Sequence, residues 1–148
     1  LSEIPRNCKL AHAVREALKW IEECPTFELF MDRLDRRYSN LHPVHVVNNA
    51  LIVVMSLFYG KLNPDRTMCI AVMGALDTDC NGATAGSIVG AASGWKNFGG
   101  KLAAPRHDTV KPTVFGFQEI TLTELAKRTC RVYRQVSSSK PAGDRCSM

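Results

Sequence analysis

The stretch Ala75-Leu76-Asp77-Thr78-Asp79-Cys80-Asn81-Gly82-Ala83-Thr84-Ala85-Gly86-Ser87-Ile88-Val89-Gly90 decides how the chain is read. Two carboxylates stand two residues apart, and a run of small residues follows. Neighbours on a helix lie three or four apart, so acids at i and i+2 do not share a helix face. They converge on one point where the backbone makes a turn, with Asp79 near the first turn of the next helix. Converging oxygens on a turn suit a hard cation such as Mg²⁺ or Ca²⁺. The plainer alternative is that Asp77 or Asp79 caps a helix, because Asp is a favoured N-cap. Both readings stay open on the residues alone. Beyond Asn81, glycines recur at 82, 86, 90 and 94 and leave one helix face without side chains. Each costs about 1 kcal/mol against alanine inside a helix. Such a ladder implies close approach of another helix or of a ligand, and tight packing behind a site is expected.

Upstream, the periodicity is helical. Asn7 is a plausible N-cap for Leu10, Ala13, Val14, Ala17, Leu18 and Ile21. Pro25 disfavours helix at Cys24 and stops the run there. Thr26 caps a second helix with the apolar stripe Phe27, Phe30, Met31 and Leu34, and the charges of Asp32, Arg33, Asp35 and Arg36 face water. A third helix over 44–59 is apolar almost all round and belongs at the centre. It is expected to contain His45, Asn48 and Asn49. These either face one site, as i, i+3 or i, i+4 pairs, or satisfy backbone and each other in the core. Gly60 is expected to close this helix as a C′ residue. Asn63-Pro64-Asp65 then starts a fourth, with a cap, Pro in the first turn and an acid beside it. That helix, over 67–76, is expected to run directly into Asp77.

Downstream of Ser93, residues 95–112 read as loop and include His107, Asp108 and Thr109. His107 and Asp108 read as a surface turn or as the rim of a cleft. Phe115-Gly116-Phe117 suggests a short extended piece. Thr121-Leu122-Thr123-Glu124 looks like a capped start, followed by Leu125, Ala126, Thr129 and Val132 on a final amphipathic helix. Residues 137–148, rich in Ser, Lys, Pro, Gly and Asp, predict a disordered tail. No strand pair and no internal repeat is evident, so the expected class is all-α.

The 148 residues are enough for one core, and 45% hydrophobic with 22% charged content is globular in character. The net charge of +5 comes from scattered basic residues, with Arg33, Arg36 and Arg37 the densest group. Without interleaved aromatics or a nucleic-acid motif they read as a solvated surface, so no nucleic-acid partner is expected. The six cysteines show no C-x-x-C spacing, which leaves a zinc site unsupported. Cys8, Cys69 and Cys130 lie among apolar residues and are expected as buried thiols in a reducing, cytoplasmic setting. The most apolar run, 50–59, is about half the length that a bilayer requires, so no membrane partner is expected. The chain opens on Leu1 without a preceding capping element, which suggests a fragment.

The run from Ala71 through Met73-Gly74 and Asp77-Thr78-Asp79-Cys80-Asn81-Gly82 to Gly90 closely resembles the C-terminal signature of the ADP-ribosylglycohydrolase family. Weaker matches flank it in the same order: Leu1 to Pro5, His45-Val46-Val47-Asn48-Asn49-Ala50, Asp108-Thr109, and Gly116-Phe117 through Leu125-Ala126. The resemblance covers residues 1–136, read as the C-terminal part of one domain. It implies an all-α, orthogonal multi-helix bundle with a metal-dependent site between central helices, usually holding two Mg²⁺ ions. It implies hydrolysis of the glycosidic bond that links ADP-ribose to a protein side chain or small-molecule acceptor, with an ADP-ribosylated substrate as partner. On that pattern Asp77 and Asp79 are metal ligands and catalytic residues. His45 and Asn48 would line the substrate site, and Ser87 would face it or merely pack.

Two departures from the pattern matter. Many members carry Thr after the second Asp as a further ligand, and here that residue is Cys80. A thiol is a poor Mg²⁺ ligand, so Asn81 or water is expected in its place. The glycine-rich and acidic motifs that open the family domain have no counterpart in this sequence. The chain is therefore expected to hold half a metal site and to be inactive alone. The readings set against this one are a non-catalytic relative that binds ADP-ribose or a nucleotide or serves structurally, and a hydrolase of another N-glycosidic substrate.

Overall fold

A computed structural model describes residues 2–94, 98 and 108–139. The described residues form six helices: α1 (Lys9–Glu23), α2 (Phe27–Tyr38), α3 (Val46–Gly60), α4 (Pro64–Met73), α5 (Thr78–Ser93) and α6 (Leu122–Ser139). Among them there is no strand, only two isolated antiparallel bridges, so the all-α expectation holds. No helix among the described residues is long and apolar enough to cross a membrane. The chain divides into two compact units, Leu1–Ala104 and Pro105–Met148.

In the first unit α3 is the central element and touches α1, α2, α4 and α5. Its composition explains this position: Leu51, Ile52 and Met55 are fully buried, and Val47 and Tyr59 nearly so. Val46 and Phe58, near its two ends, are exposed. Ala13, Ala17, Trp20 and Ile21 of α1 and Phe30 and Leu34 of α2 close the core on one side, with Ile70 of α4 on another. Full burial of each large apolar side chain contributes about 1.5–3 kcal/mol. Phe30 meets Trp20 edge-on at 5.6 Å between ring centroids and Tyr59 at 6.4 Å. The Tyr59 hydroxyl donates to the Cys24 carbonyl at 2.6 Å, joining the end of α1 to the end of α3. Arg33 pairs with Glu23 and lies over the Trp20 ring.

Helix ends follow local chemistry, with some departures from the expectations. Thr26 caps α2 through its hydroxyl, and Asn63 caps α4 with Pro64 behind it. The cap of α1 is Cys8, not Asn7, with its sulfur accepting from the Ala11 N–H at 3.3 Å. His45 lies outside α3 as its N-cap, because the Nδ1 atom accepts from the Val47 N–H. Cys8 is only half-buried, and Cys69 and Cys130 are exposed, so the expectation of buried thiols fails at all three.

Gly60 is the last helical residue, and the left-handed C-cap is Lys61 (φ 52°), followed by Leu62 (φ 55°). The glycine is needed for another reason. A Cβ there would stand 2.2 Å from Thr67 Oγ1 and 2.7 Å from Thr67 Cα. The backbones of α3 and α4 touch at this point, over the fully buried Thr67, whose hydroxyl has no hydrogen-bond partner among the described residues.

In the second unit, Val110 pairs with Ile120 and Val114 with Phe117, so Phe115 and Gly116 form the tip of a turn. Asp108 accepts from the Thr123 N–H and Thr121 from the Glu124 N–H, together capping α6. Asp108 thus serves a helix start, and His107 lies outside the described residues. Helix α6 continues to Ser139, three residues into the expected tail, and 140–148 lie outside the described residues. Most of the expected 95–112 loop does as well.

Gly60→Ala is expected to lower unfolding free energy by about 1–3 kcal/mol through overpacking against Thr67. Urea unfolding followed by circular dichroism measures this, and an unchanged midpoint would contradict the close α3–α4 approach.

Candidate metal centre

The acidic turn is produced by how α4 stops. Gly74 caps α4 in right-handed conformation, and its N–H donates to the Ile70 carbonyl at 2.9 Å. A Cβ at Gly74 would lie 2.7 Å from Ile52 Cγ2, so the end of α4 is pressed onto α3. Ala75 and Leu76 then both adopt left-handed backbone, with φ of 57° and 58°. Helix α4 therefore does not run into Asp77 as expected. Two non-glycine residues in this region cost about 1–2 kcal/mol each, which the surrounding contacts must offset. Leu76 does so in part by packing against the core.

Asp77 is the N-cap of α5, yet its carboxylate makes no capping hydrogen bond. Its backbone carbonyl accepts from the Asn81 N–H at 2.9 Å, and its side chain is left over for other work. This removes the ordinary reason for an Asp at a helix start. One donor atom each from Asp77, Asp79 and Cys80 lies within 4.8 Å of the others. Asp77 is half-buried, while Asp79 and Cys80 are exposed. A hydrogen bond to the Asp77 carboxylate, then the negative charges of Asp77 and Asp79, raise the Cys80 thiol above its ordinary pKa.

Asn49 holds this turn in place. Its Oδ1 accepts from the Asp77 N–H at 3.2 Å and from Asn81 Nδ2 at 2.7 Å. Its Nδ2 donates to the carbonyls of Pro43 at 2.6 Å and His45 at 3.0 Å. One side-chain amide thus ties the loop before α3 to the first turn of α5. Asn48, Asn49 and Asn81 are all buried. The Asn48 amide donates to the His42 carbonyl, and its oxygen accepts from the Asn49 N–H.

The expected site residues therefore separate. Asp77 and Asp79 are brought together. His45 and Asn48, expected to line a substrate site, make their hydrogen bonds locally at the start of α3. Asn81, expected as a further ligand, gives its amide nitrogen to Asn49 and braces the turn, while the Cys80 sulfur is what stands beside the carboxylates. Ser87 is exposed and bonds back to the Ala83 carbonyl. The residue that sequence reasoning left in second place is Asn49. Its i, i+4 spacing from His45 was visible, but its partner lies 28 residues away in the chain.

The glycine ladder is explained in its first half. A Cβ on Gly82 would lie 3.1 Å from Val72 Cγ2, and one on Gly86 would lie 3.0 Å from Met68 Sδ. Helix α4 is the element that approaches. Gly90 faces Phe98 at ordinary contact distance, and Gly94 terminates α5 with a φ of 71°.

Oxygen ligands stand about 2.0–2.6 Å from a hard divalent cation, so one ion can reach donors as close together as these. The two carboxylates fit such an ion. The third donor, sulfur, does not suit magnesium.

The helices and this turn together define an all-α protein with two convergent carboxylates at the head of a small-residue helix. The model of the ADP-ribosylglycohydrolase family matches residues 1–139, and the chain belongs to that family. The family is one of glycoside-bond hydrolases. No curated protein and no solved structure matches the chain.

Asn49→Ala leaves the Asp77 N–H and the Asn81 amide without their acceptor, and a cost of about 1–3 kcal/mol is expected. Hydrogen exchange at Asp77 and Asn81 should accelerate more than exchange in the middle of α1. A uniform change along the chain would show that Asn49 does not specifically hold the turn.

Proposed function

We propose that the chain supplies one side of a divalent-cation centre that hydrolyses a glycosidic bond of ADP-ribose, with a protein side chain or a small molecule as the acceptor. The observation that carries this is the Asp77 carboxylate. It is free of any capping role and gathered with Asp79 on a strained turn, in a member of the ADP-ribosylglycohydrolase family.

Magnesium, two ions in a complete centre, is the cation that the family resemblance implies. Bound there, it would position and polarise water or a substrate hydroxyl and stabilise developing charge. Asp77 and Asp79 hold the cation side of this arrangement and set its position. Asn49 keeps the Asp77 backbone in place, and Asn81 keeps Asn49 in place.

Magnesium demands near-octahedral oxygen coordination and keeps several waters. Two carboxylates supply part of that shell. A second acidic segment, which these 148 residues do not contain, would supply the rest. The described cysteines are free thiols, several of them exposed, which supports a reducing compartment such as the cytoplasm.

Release of ADP-ribose from a modified peptide, measured with Mg²⁺ present, tests this. The 148-residue chain alone is expected to show little or no turnover. A polypeptide joining it to such an acidic segment should turn over, and Asp77→Asn or Asp79→Asn should each cost it about 100-fold or more, since even residues behind metal ligands cost 10–100-fold. Unchanged rates in both variants would overturn the reading, and clear turnover by the 148 residues alone would overturn the half-site.

A further inference from the structure

The donor standing beside the two carboxylates is sulfur, and this bears on which cation the turn holds. We propose that Cys80 gives the Asp77–Asp79 turn a preference for a thiophilic divalent cation of the zinc class over magnesium. This rests on the reading of the turn as metal-holding proposed above.

The geometry is that of three protein donors around one point. The Cys80 sulfur and one oxygen from each Asp lie within 4.8 Å of one another. Zinc bonds to carboxylate oxygen at about 2.0–2.2 Å and to thiolate sulfur at about 2.3 Å, so one ion draws such a set together to within about 4.5 Å, a closure that the exposed Asp79 and Cys80 side chains are free to make. Three protein donors with the fourth position open to water is the arrangement of a working zinc site. Cys80 is exposed, and its sulfur lies within 4.8 Å of a carboxylate oxygen of Asp77 and of Asp79. Binding forms a metal–sulfur bond and releases the thiol proton to solvent.

Softness then decides selectivity. Thiolate favours zinc-class ions, whereas magnesium takes oxygen and gains nothing from sulfur. A hydroxyl at this position would leave the set all-oxygen and suited to magnesium. The residue type at this one position therefore sets the cation preference. Asn81, buried and bonded to Asn49, anchors the turn from a side that does not involve the donors.

Cobalt(II) serves as the spectroscopic probe on the chain as it stands. Titration should raise a sulfur-to-cobalt charge-transfer absorption, and Zn²⁺ should abolish it at far lower concentration than Mg²⁺. Peptide-level mass spectrometry should show Cys80 protected from alkylation by Zn²⁺ but not by Mg²⁺. Cys80→Ser should remove the absorption, weaken Zn²⁺ binding about tenfold or more, and leave Mg²⁺ binding unchanged or stronger. Because Cys80 is exposed, this variant is expected to fold.

If Cys80→Ser binds Zn²⁺ as tightly as the parent, or keeps the charge-transfer band, the sulfur is not a ligand. The proposal then falls, while the carboxylate reading stands. If the parent and an Asp77→Asn, Asp79→Asn double variant bind cations equally, the metal reading falls and the proposal falls with it.

Discussion

The amide of Asn49 is the contact on which the site depends. It is a four-way junction: two carbonyls from the loop before α3 accept its hydrogens, and two donors from the start of α5 meet its oxygen. A buried amide satisfied on both sides is worth more in place than its mean hydrogen-bond energy suggests, because removing it strands several partners at once. The position also explains why α3 is central. The helix that carries the core on its apolar faces presents, in its first turn, the group that fixes where α5 begins.

The left-handed pair Ala75–Leu76 belongs to the same arrangement. A turn of this kind is unfavourable for residues with a Cβ, and it persists because both of its sides are anchored. Gly74 is pressed against Ile52 on one side, and Asp77 is tied to Asn49 on the other. Strain of this sort gathers where the surroundings over-determine the backbone. Here it releases the Asp77 carboxylate from its capping role and turns it toward Asp79 and Cys80.

Much of the local structure was legible from the residues. Thr26 and Asn63-Pro64 marked helix starts because capping is short-range chemistry, and Pro25 marked a stop for the same reason. The stripe Phe27, Phe30, Met31 and Leu34 identified the packed face of α2. The errors have a common cause. Gly60 looked like a C-cap but is required by Thr67 of the next helix, and Asn7 looked like a cap where Cys8 sulfur does the work. Asn48 and Asn81 were expected at the site by type, and their amide nitrogens donate to the His42 carbonyl and to Asn49.

The sequence by itself determined the all-α class, the order of the six described helices, the pairing of Asp77 with Asp79, and the family to which the chain belongs. Each of these is written in spacing, in residue type or in an ordered motif, and none needs a distant contact to be seen. The tertiary structure alone decided that Asp77 is not an ordinary cap, that Asn49 holds the turn, and that the Cys80 sulfur stands with the carboxylates. These depend on backbone angles at Ala75 and Leu76 and on a hydrogen bond between residues 28 apart. Residue spacing along a chain does not encode such a contact until the helices between its ends have packed.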